Sequence, residues 1–435
     1  MKLRNFAFAL LAMVLACLLF GSGPAMAQKE QLFPLLVYRT GPYAPSGIPS
    51  ANGFRDYYDM INKRDGGVNG VKIAWEECET SYDTKRGVEC YEKLKDRATV
   101  FHPFSTGITY QLIPKAPVDK VPIWSSGYGR TAAADGRVFP WIFNAPTTYW
   151  SQASAVIEYI GQLEGGMDKL KGKKIAHIFH NSPYGKEANP TLEALSKKYG
   201  YSLTLLPVDH PGQEQKATWL QVRRIRPDWI FMSGWGVMNQ VAVKEAASIN
   251  FPMDHFIGNW WSASEADVVP AGAGAKGYKG ATFNGAGPNW PVHQDILKYV
   301  YNGDEAKAKE NNWGEVLYNR TLVAAMENLE AVRTAQKRYG NRVISGEEMR
   351  WGLENLNVTE ARLKELGFAG MTRPLKITCA DHESGGPVIF QQWDGSKWHM
   401  VSDWIPVMKD VVRPMIEEAA MEYAKENNIT PRKCG

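Results

Sequence analysis

An α/β fold built from two parallel-sheet lobes is what this sequence predicts, and three observations carry the prediction. Short apolar runs alternate with helical patterns along most of the chain, the rhythm of βαβ units that pair into parallel sheets with helices on both faces. There are more such units than one sheet comfortably holds. Setting aside a 27-residue leader from the 435-residue chain leaves 408, enough for two domains.

The leader comes first. Lys2 and Arg4 precede an apolar stretch, Phe6 to Phe20, and Ala25-Met26-Ala27 stands before Gln28. That is the layout of a secretory signal peptide cleaved after Ala27. The apolar core is about 15 residues, short of the roughly 20 that a membrane span needs. Cys17 raises a lipoprotein anchor as the alternative, but Leu18, Leu19 and Phe20 carry the apolar run past it. An exported, periplasmic protein is therefore expected. Losing Lys2 and Arg4 takes the formal charge from +4 to +2, too little for a nucleic-acid partner, which needs a concentrated basic face.

The elements then follow in order. Leu32–Val37 reads as a strand, and Phe54, Tyr57, Tyr58 and Ile61 share one face of a helix. A turn at Gly66-Gly67-Val68-Asn69-Gly70 leads to a strand over Val71–Trp75, a helix over Thr84–Arg97 and a strand over Thr99–Phe104. The second half repeats the rhythm. Strands are expected at Lys174–Phe179, Leu203–Pro207, Trp229–Ser233 and Phe256–Asn259. The helices between them cover Glu187–Tyr199, Lys216–Ile225 and Val237–Ile249. After Trp404-Ile405-Pro406, a last helix runs over Val411–Asn427.

Four cysteines remain after the leader: Cys78, Cys90, Cys379 and Cys434. In an oxidising compartment they read as two disulfides. Pairing by proximity gives Cys78–Cys90 and Cys379–Cys434, with two other connectivities open. No Cys-x-x-Cys suggests zinc.

Catalytic and cofactor signatures are missing. There is no Gly-x-Ser-x-Gly, His-Glu-x-x-His or phosphate-binding Gly-x4-Gly-Lys-Ser/Thr. Gly272-Ala273-Gly274-Ala275-Lys276-Gly277 matches Gly-x-Gly-x-x-Gly in letters only, since it runs into a strand, Tyr278–Phe283, instead of opening a helix. His177 and His180 lie three apart in a strand and face opposite ways. No metal, no cofactor and no enzymatic activity are expected.

The positive signal lies at the strand ends, where open α/β sheets bind ligands. Ser105-Thr106-Gly107, Ser125-Ser126-Gly127-Tyr128-Gly129-Arg130, Thr147-Thr148-Tyr149-Trp150, Tyr184-Gly185, Trp235-Gly236 and Asn259-Trp260-Trp261 recur there. Small hydroxyls beside large aromatics are the mixture that lines small-molecule pockets.

These loops fall within an ordered series that resembles the periplasmic solute-binding proteins of the branched-chain amino-acid/amide transporter type. The series runs Thr40-Gly41-Pro42-Tyr43-Ala44, Ile61-Asn62 before the glycine turn, Ser105-Thr106, and Pro122-Ile123-Trp124-Ser125. Ser182-Pro183-Tyr184-Gly185-Lys186, Ile257-Gly258 and Gln391-Gln392-Trp393-Asp394-Gly395 complete it. The resemblance implies a type I periplasmic binding fold, with a three-stranded hinge and the ligand enclosed between lobes. On this chain the lobes map to 28–146 with 284–385, and 147–283 with 386–435. It also implies a small-molecule ligand, permease and ATPase partners in the membrane, and a monomeric receptor.

In amino-acid-binding relatives, first-lobe hydroxyls and amides hold the carboxylate, which here implies Ser105, Thr106 and the Ser125–Arg130 loop, Arg130 included. A second-lobe aromatic, here Trp235, and an acid after the next strand hold the ammonium. This chain has Asn259-Trp260-Trp261 where the acid belongs. A buried ammonium without a counter-charge costs on the order of several kcal/mol, so the expected ligand is a carboxylate with an aromatic or apolar body. Tyr149, Tyr184, Trp260 and Trp261 would form its walls. The alternatives are an amino acid or amide reached through Glu265 or Asp267, a ligand-sensing subunit, and a secreted hydrolase.

Overall fold

The computed structural model describes residues 30–434; the leader, Cys17 and the expected cleavage after Ala27 lie outside the described residues. The first sheet begins with β1 (Glu30–Val37) paired in parallel to β2 (Lys72–Glu79), Glu30 opposite Lys72 and Val37 opposite Glu79. On its other edge, β1 meets the segment 98–102 through single bridges, Leu32 to Ala98 and Leu35 to His102. Phe101 then bridges to Ile123 of β3 (Ile123–Trp124), which pairs in parallel with β4 (Ile142–Phe143).

The strand expected over Thr99–Phe104 is thus reduced to bridges. Pro34 has no N–H for a ladder on that edge of β1, and Phe104 takes a left-handed conformation (φ 52°) that ends extended pairing.

The second sheet is regular. Its strands are β5 (Lys174–His180), β6 (Ser202–Val208), β7 (Trp229–Ser233), β8 (Phe256–Gly258) and β9 (Lys279–Thr282). A short antiparallel pair, β10 (Asn357–Val358) and β11 (Leu375–Lys376), stands apart. The second sheet is then completed by β12 (Ile389–Trp393) and β13 (Trp398–Met400) in the order β13-β12-β9-β8-β7-β5-β6. Pairing is parallel from β6 through β9 and antiparallel at β12 and β13. The α/β fold of two parallel-dominated sheets is as the sequence predicts. Gly272 to Gly277 does lead into a strand, β9, and opens no helix.

Apolar periodicity explains the helices. Phe54, Tyr57, Tyr58 and Ile61 of Ala44–Asp65 are all buried in one cluster with Leu322, Met326 and Leu329 of the helix Val316–Tyr339. The two helices approach so closely that a Cβ on Gly53 would sit 2.4 Å from the Tyr318 carbonyl oxygen. Glycine is therefore required by contact.

Between the sheets the chain crosses near residues 146, 284 and 386. The crossings are tied together: Asn144 N–H donates to the His382 carbonyl (2.9 Å) and Gly386 N–H to the Pro146 carbonyl (2.9 Å). The Glu383 carboxylate accepts from Thr148 N (3.0 Å) and Ser151 Oγ (2.9 Å).

The last helix, Lys409–Glu426, which the sequence groups with the second lobe, makes most of its contacts with the first. Ala420 and Ala424 join the cluster of Leu36, Tyr91, Phe101 and Ile142. Tyr423 packs on Phe139 at 4.7 Å, and Arg413 faces Asp381 at 3.6 Å. Only its first turns reach the other lobe, through Val412 and Ile416 against Trp150 and the Lys198–Asp410 pair at 3.5 Å.

Both disulfides form as proximity suggests, Cys78–Cys90 and Cys379–Cys434, separated by 12 and 55 residues. Chain-entropy closure predicts losses of about 3 and about 4 kcal/mol when each is removed. Urea unfolding of Cys78→Ser/Cys90→Ser and Cys379→Ser/Cys434→Ser should rank them in that order. The reverse ranking would show that native contacts outweigh loop closure.

Candidate functional site in the interlobe cleft

Strand ends from both sheets converge on one narrow cavity. Tyr38 follows β1, Tyr82 follows β2, and Phe104, Ser105 and Thr106 follow the bridged segment. Tyr128 comes from the loop after β3. The opposite wall is Tyr149, Tyr184, Trp235 and Trp261. Rings meet mostly edge to face: Tyr38 with Trp235 at 6.0 Å, Tyr128 with Trp261 at 5.8 Å, and Trp235 with Trp261 at 5.3 Å. Such pairs hold aromatic walls rigid beyond their area burial.

Two hydroxyls supply the polar end. Ser105 caps the helix Thr106–Leu112 by accepting from Ile108 N (3.3 Å), and Thr106 Oγ1 accepts from Gly129 N (3.3 Å). Each oxygen accepts there, and each hydroxyl also meets a phenol of the wall, Ser105 that of Tyr82 and Thr106 that of Tyr149. Phe104, beside them, is held in its left-handed conformation by both neighbours. Its N–H donates to Tyr128 Oη (2.9 Å) and its carbonyl accepts from Tyr38 Oη (3.1 Å). A non-glycine residue in this conformation carries backbone strain that its surroundings must hold in place.

No Asp, Glu, Lys, Arg or His lines the cavity among the described residues. Burial pushes the phenols of Tyr38, Tyr149 and Tyr184 well above their ordinary range, so all three stay neutral.

The lobes touch around the cavity. Tyr43 Oη meets His180 Nε2 at 3.0 Å, and Val237 N–H donates to the Pro42 carbonyl at 3.0 Å. The Glu187 carboxylate accepts from the Tyr110 hydroxyl and from Thr131 N (3.0 Å). Trp260 Nε1 (2.7 Å) and Trp261 Nε1 (3.3 Å) both donate to the Gly127 carbonyl. Gly127 sits at φ 68°, where an added Cβ would lie 2.7 Å from the Phe283 ring. The indoles reach that carbonyl because no side chain intervenes.

Of the residues the sequence singles out, Ser105, Thr106, Tyr128, Tyr149, Tyr184, Trp235 and Trp261 line the cavity. Trp260 stands behind them, stacked on Tyr149 at 5.7 Å. Ser125 is turned to Thr109 Oγ1 (3.1 Å), while Ser126 is buried near it. Asn259 Oδ1 accepts from Trp261 N (2.9 Å) and braces the turn.

Arg130 points elsewhere. Its guanidinium lies over the rings of Tyr423 (4.5 Å) and Tyr110 (5.7 Å), away from the cavity. Neither Glu265 nor Asp267 reaches the cavity. Glu265 accepts from Val316 N (3.0 Å), and Asp267 accepts from Asn239 Nδ2 (2.9 Å) and Ser264 Oγ (2.8 Å).

His177 is satisfied by Asn189 Oδ1 (2.8 Å) and Ser233 Oγ (2.9 Å), and burial lowers its pKa to about 4. No cluster of His, Cys, Asp and Glu suited to a metal occurs among the described residues.

Tyr38, Tyr82 and Phe104 are additions to the expected set. All three follow strands or a strand-like segment, so the strand-end rule applied to the first sheet would have found them. Arg320, in the helix Val316–Tyr339, is a fourth. It is fully buried, with its guanidinium 5.0 Å from the Trp261 ring and 4.9 Å from the Phe283 ring. No sequence pattern marks it.

Comparison with known proteins agrees with this geometry. The chain superposes on a structure from the Pseudomonas fluorescens group described as an ABC transporter permease. Sequence identity is 46%, the TM-score is 0.87, and 94% of this chain and 100% of that one are covered. Among the described residues, however, no helix is long and apolar enough to cross a membrane. A Thermus thermophilus branched-chain amino acid ABC transporter structure with bound valine matches at 22% identity and TM-score 0.75, covering 90% of this chain and 99% of that one. A solute-binding protein from R. palustris in complex with benzoate matches at 15% identity and TM-score 0.68, with 87% and 97% covered. No curated protein sequence matches the chain. The family model described as periplasmic binding protein spans residues 33–397, and with the two sheets, the three crossings and the enclosed cleft, the chain belongs to the periplasmic binding protein family.

Proposed function

We propose that this protein is the extracytoplasmic substrate-binding component of an ABC transporter and that it captures a small carboxylate with an aromatic or apolar body, without chemical change. The observation that carries the reading is the composition of the cavity wall: eight aromatic rings, the Ser105 and Thr106 hydroxyls beside five neutral phenols, and no carboxylate. Ser105 and Thr106 receive the carboxylate, and Tyr149, Tyr184, Trp235 and Trp261 enclose the body. Membrane permease and ATPase subunits are the partners.

Benzoate in one structural neighbour and valine in another frame the choice. An α-ammonium in this cavity would face only phenols and indoles. A cation over such rings gains about 0.5–2 kcal/mol, less than the several kcal/mol of burying an unpaired ion.

Calorimetry on the mature protein tests the reading, with benzoate, 4-hydroxybenzoate, isovalerate, leucine and valine as probes. Benzoate or an aliphatic acid is expected to bind tighter than either amino acid. Tight binding of leucine or valine with no response to any simple acid would replace the ligand class and leave the binding-protein assignment standing. A ligand at about 100 times its Kd adds ~2.7 kcal/mol of stability, so thermal shift serves for wider screening. Small-angle scattering should show a smaller radius of gyration on saturation, as hinge closure requires. An unchanged radius from a demonstrably open starting state would count against closure.

A further inference from the structure

We infer that Arg320 sets the charge selectivity of the cleft: its guanidinium, seated behind Trp261, is the cation for which an anionic ligand supplies the missing counter-charge. The inference rests on the small-carboxylate reading and names the residue that gives it its sign.

The argument begins with an unbalanced charge. Arg320 is fully buried, yet no carboxylate lies within ion-pair distance of it among the described residues. Nε donates to Asn284 Oδ1 (3.0 Å) and Nη2 to Thr282 Oγ1 (2.9 Å), both neutral acceptors, and Nη1 has no partner. Burial lowers its pKa to about 9, which leaves it charged at neutral pH.

The nearest acids compensate only in part. Glu265 accepts one backbone N–H, and burial, aided by the charge of Glu315, pushes its pKa up to about 8, so it is protonated at pH 7. Asp267, raised by burial to about 6 and so ionised at pH 7, feels the Arg320 charge from beyond ion-pair distance, its oxygens being bonded to Asn239 and Ser264. Buried charges left without a partner are costly, and proteins keep them where a ligand completes them.

Position relates the charge to the cleft. Arg320 lies between the rings of Trp261 and Phe283, and Trp261 is itself cavity wall. Tyr149 and Tyr184, on the same wall, are close enough for their charge state to be felt at the guanidinium. An anion on the cavity side of Trp261 would lie roughly 9 Å from it, where attraction at an effective dielectric of about 20 amounts to about twentyfold in affinity. A neutral ligand of the same shape gains nothing from that field.

The test compares benzoate with benzamide, equal in shape and different in charge, by calorimetry on wild type, Arg320→Gln and Arg320→Lys. Wild type should prefer the acid by about twentyfold or more. Arg320→Gln should lose about twentyfold of that preference while its benzamide affinity holds, and Arg320→Lys should keep it. A merely structural role would weaken both ligands alike, and an Arg320→Gln protein that retains the acid preference overturns the assignment. Should Arg320→Gln fail to fold, the wild-type ratio decides: benzamide binding as tightly as benzoate overturns the inference. If neither benzoate nor an aliphatic acid binds wild type at all, the underlying carboxylate reading fails, and this inference with it.

Discussion

Trp261→Ala is expected to weaken binding of benzoate, or of whichever acid of the panel binds tightest, by at least about 2 kcal/mol, some thirtyfold. Three separate contributions go with this one ring. It is cavity wall, it packs edge to face on both Trp235 and Tyr128, and its indole N–H spans the lobes to the Gly127 carbonyl. Truncation removes apolar contact with the ligand, loosens two neighbouring rings and subtracts one bond that forms only when the lobes meet. Trp260→Ala separates these roles, since Trp260 makes the shorter bond to the same carbonyl but stands behind the wall. Its effect should fall on lobe closure more than on ligand contact. Equal affinities for wild type and Trp261→Ala would mean that the ligand does not sit in this cavity.

Glu327→Gln should stabilise the protein at pH 8 by on the order of 4 kcal/mol and by less than about 1 kcal/mol at pH 5. Glu327 lies in the middle of the helix Val316–Tyr339, 1% exposed, and its Oε2 has no partner. Burial alone pushes its pKa from 4.5 to about 8. A carboxyl whose pKa is raised by folding takes up a proton that the unfolded chain releases. Stability is therefore full below about pH 4.5 and falls as pH rises toward 8. Burial also raises Glu265 to about 8 and Glu383 to about 7, but it lowers His177 and His293 to about 4 and His102 and His180 to about 3, so the two sets offset each other up to about pH 6.5 and the wild type should lose stability mainly between there and pH 8. Urea unfolding at a series of pH values measures that loss, and the Glu327→Gln curve should be flatter by about one proton. Parallel curves would show that Glu327 is solvated or paired in solution.

How much was legible in the sequence depended on whether the information was local. The helix Lys216–Ile225 and the strand Trp229–Ser233 stand where the pattern puts them, because Pro227 and Asp228 punctuate an amphipathic run followed by an apolar one. The segment after Ala98 is apolar enough for a strand, but its ladder depends on Pro34, some 65 positions earlier. The aromatic wall was largely readable from strand ends, and Tyr38 and Tyr82 obey the same rule. Arg130 and Arg320 mark the limit. Arg130 sits in the right loop, yet its direction is set by Tyr423 on a distant helix. Arg320 sits in a helix interior where arginine is unremarkable, and only packing against Trp261 and Phe283 gives it a role.

The helix Lys409–Glu426 changes the mechanics of the cleft. Cys434 and the salt bridge of Arg432 to Glu354 (2.5 Å) fasten the chain's end to the first lobe, so the helix travels with that body. Its leading turns still lean on Trp150 of the other body, and Ser154 Oγ accepts from Met408 N (3.0 Å). The connection near Met408 is thus a fourth passage of chain between the lobes, beside the three crossings near 146, 284 and 386. Any rotation of one lobe against the other has to be accommodated by all four connections together. Wherever that rotation parts Trp150 from Val412 and Ile416, it exposes apolar surface at about 25 cal/mol per Å². The packing of Trp150 on Ala134, Val412 and Ile416 therefore opposes any movement that separates them.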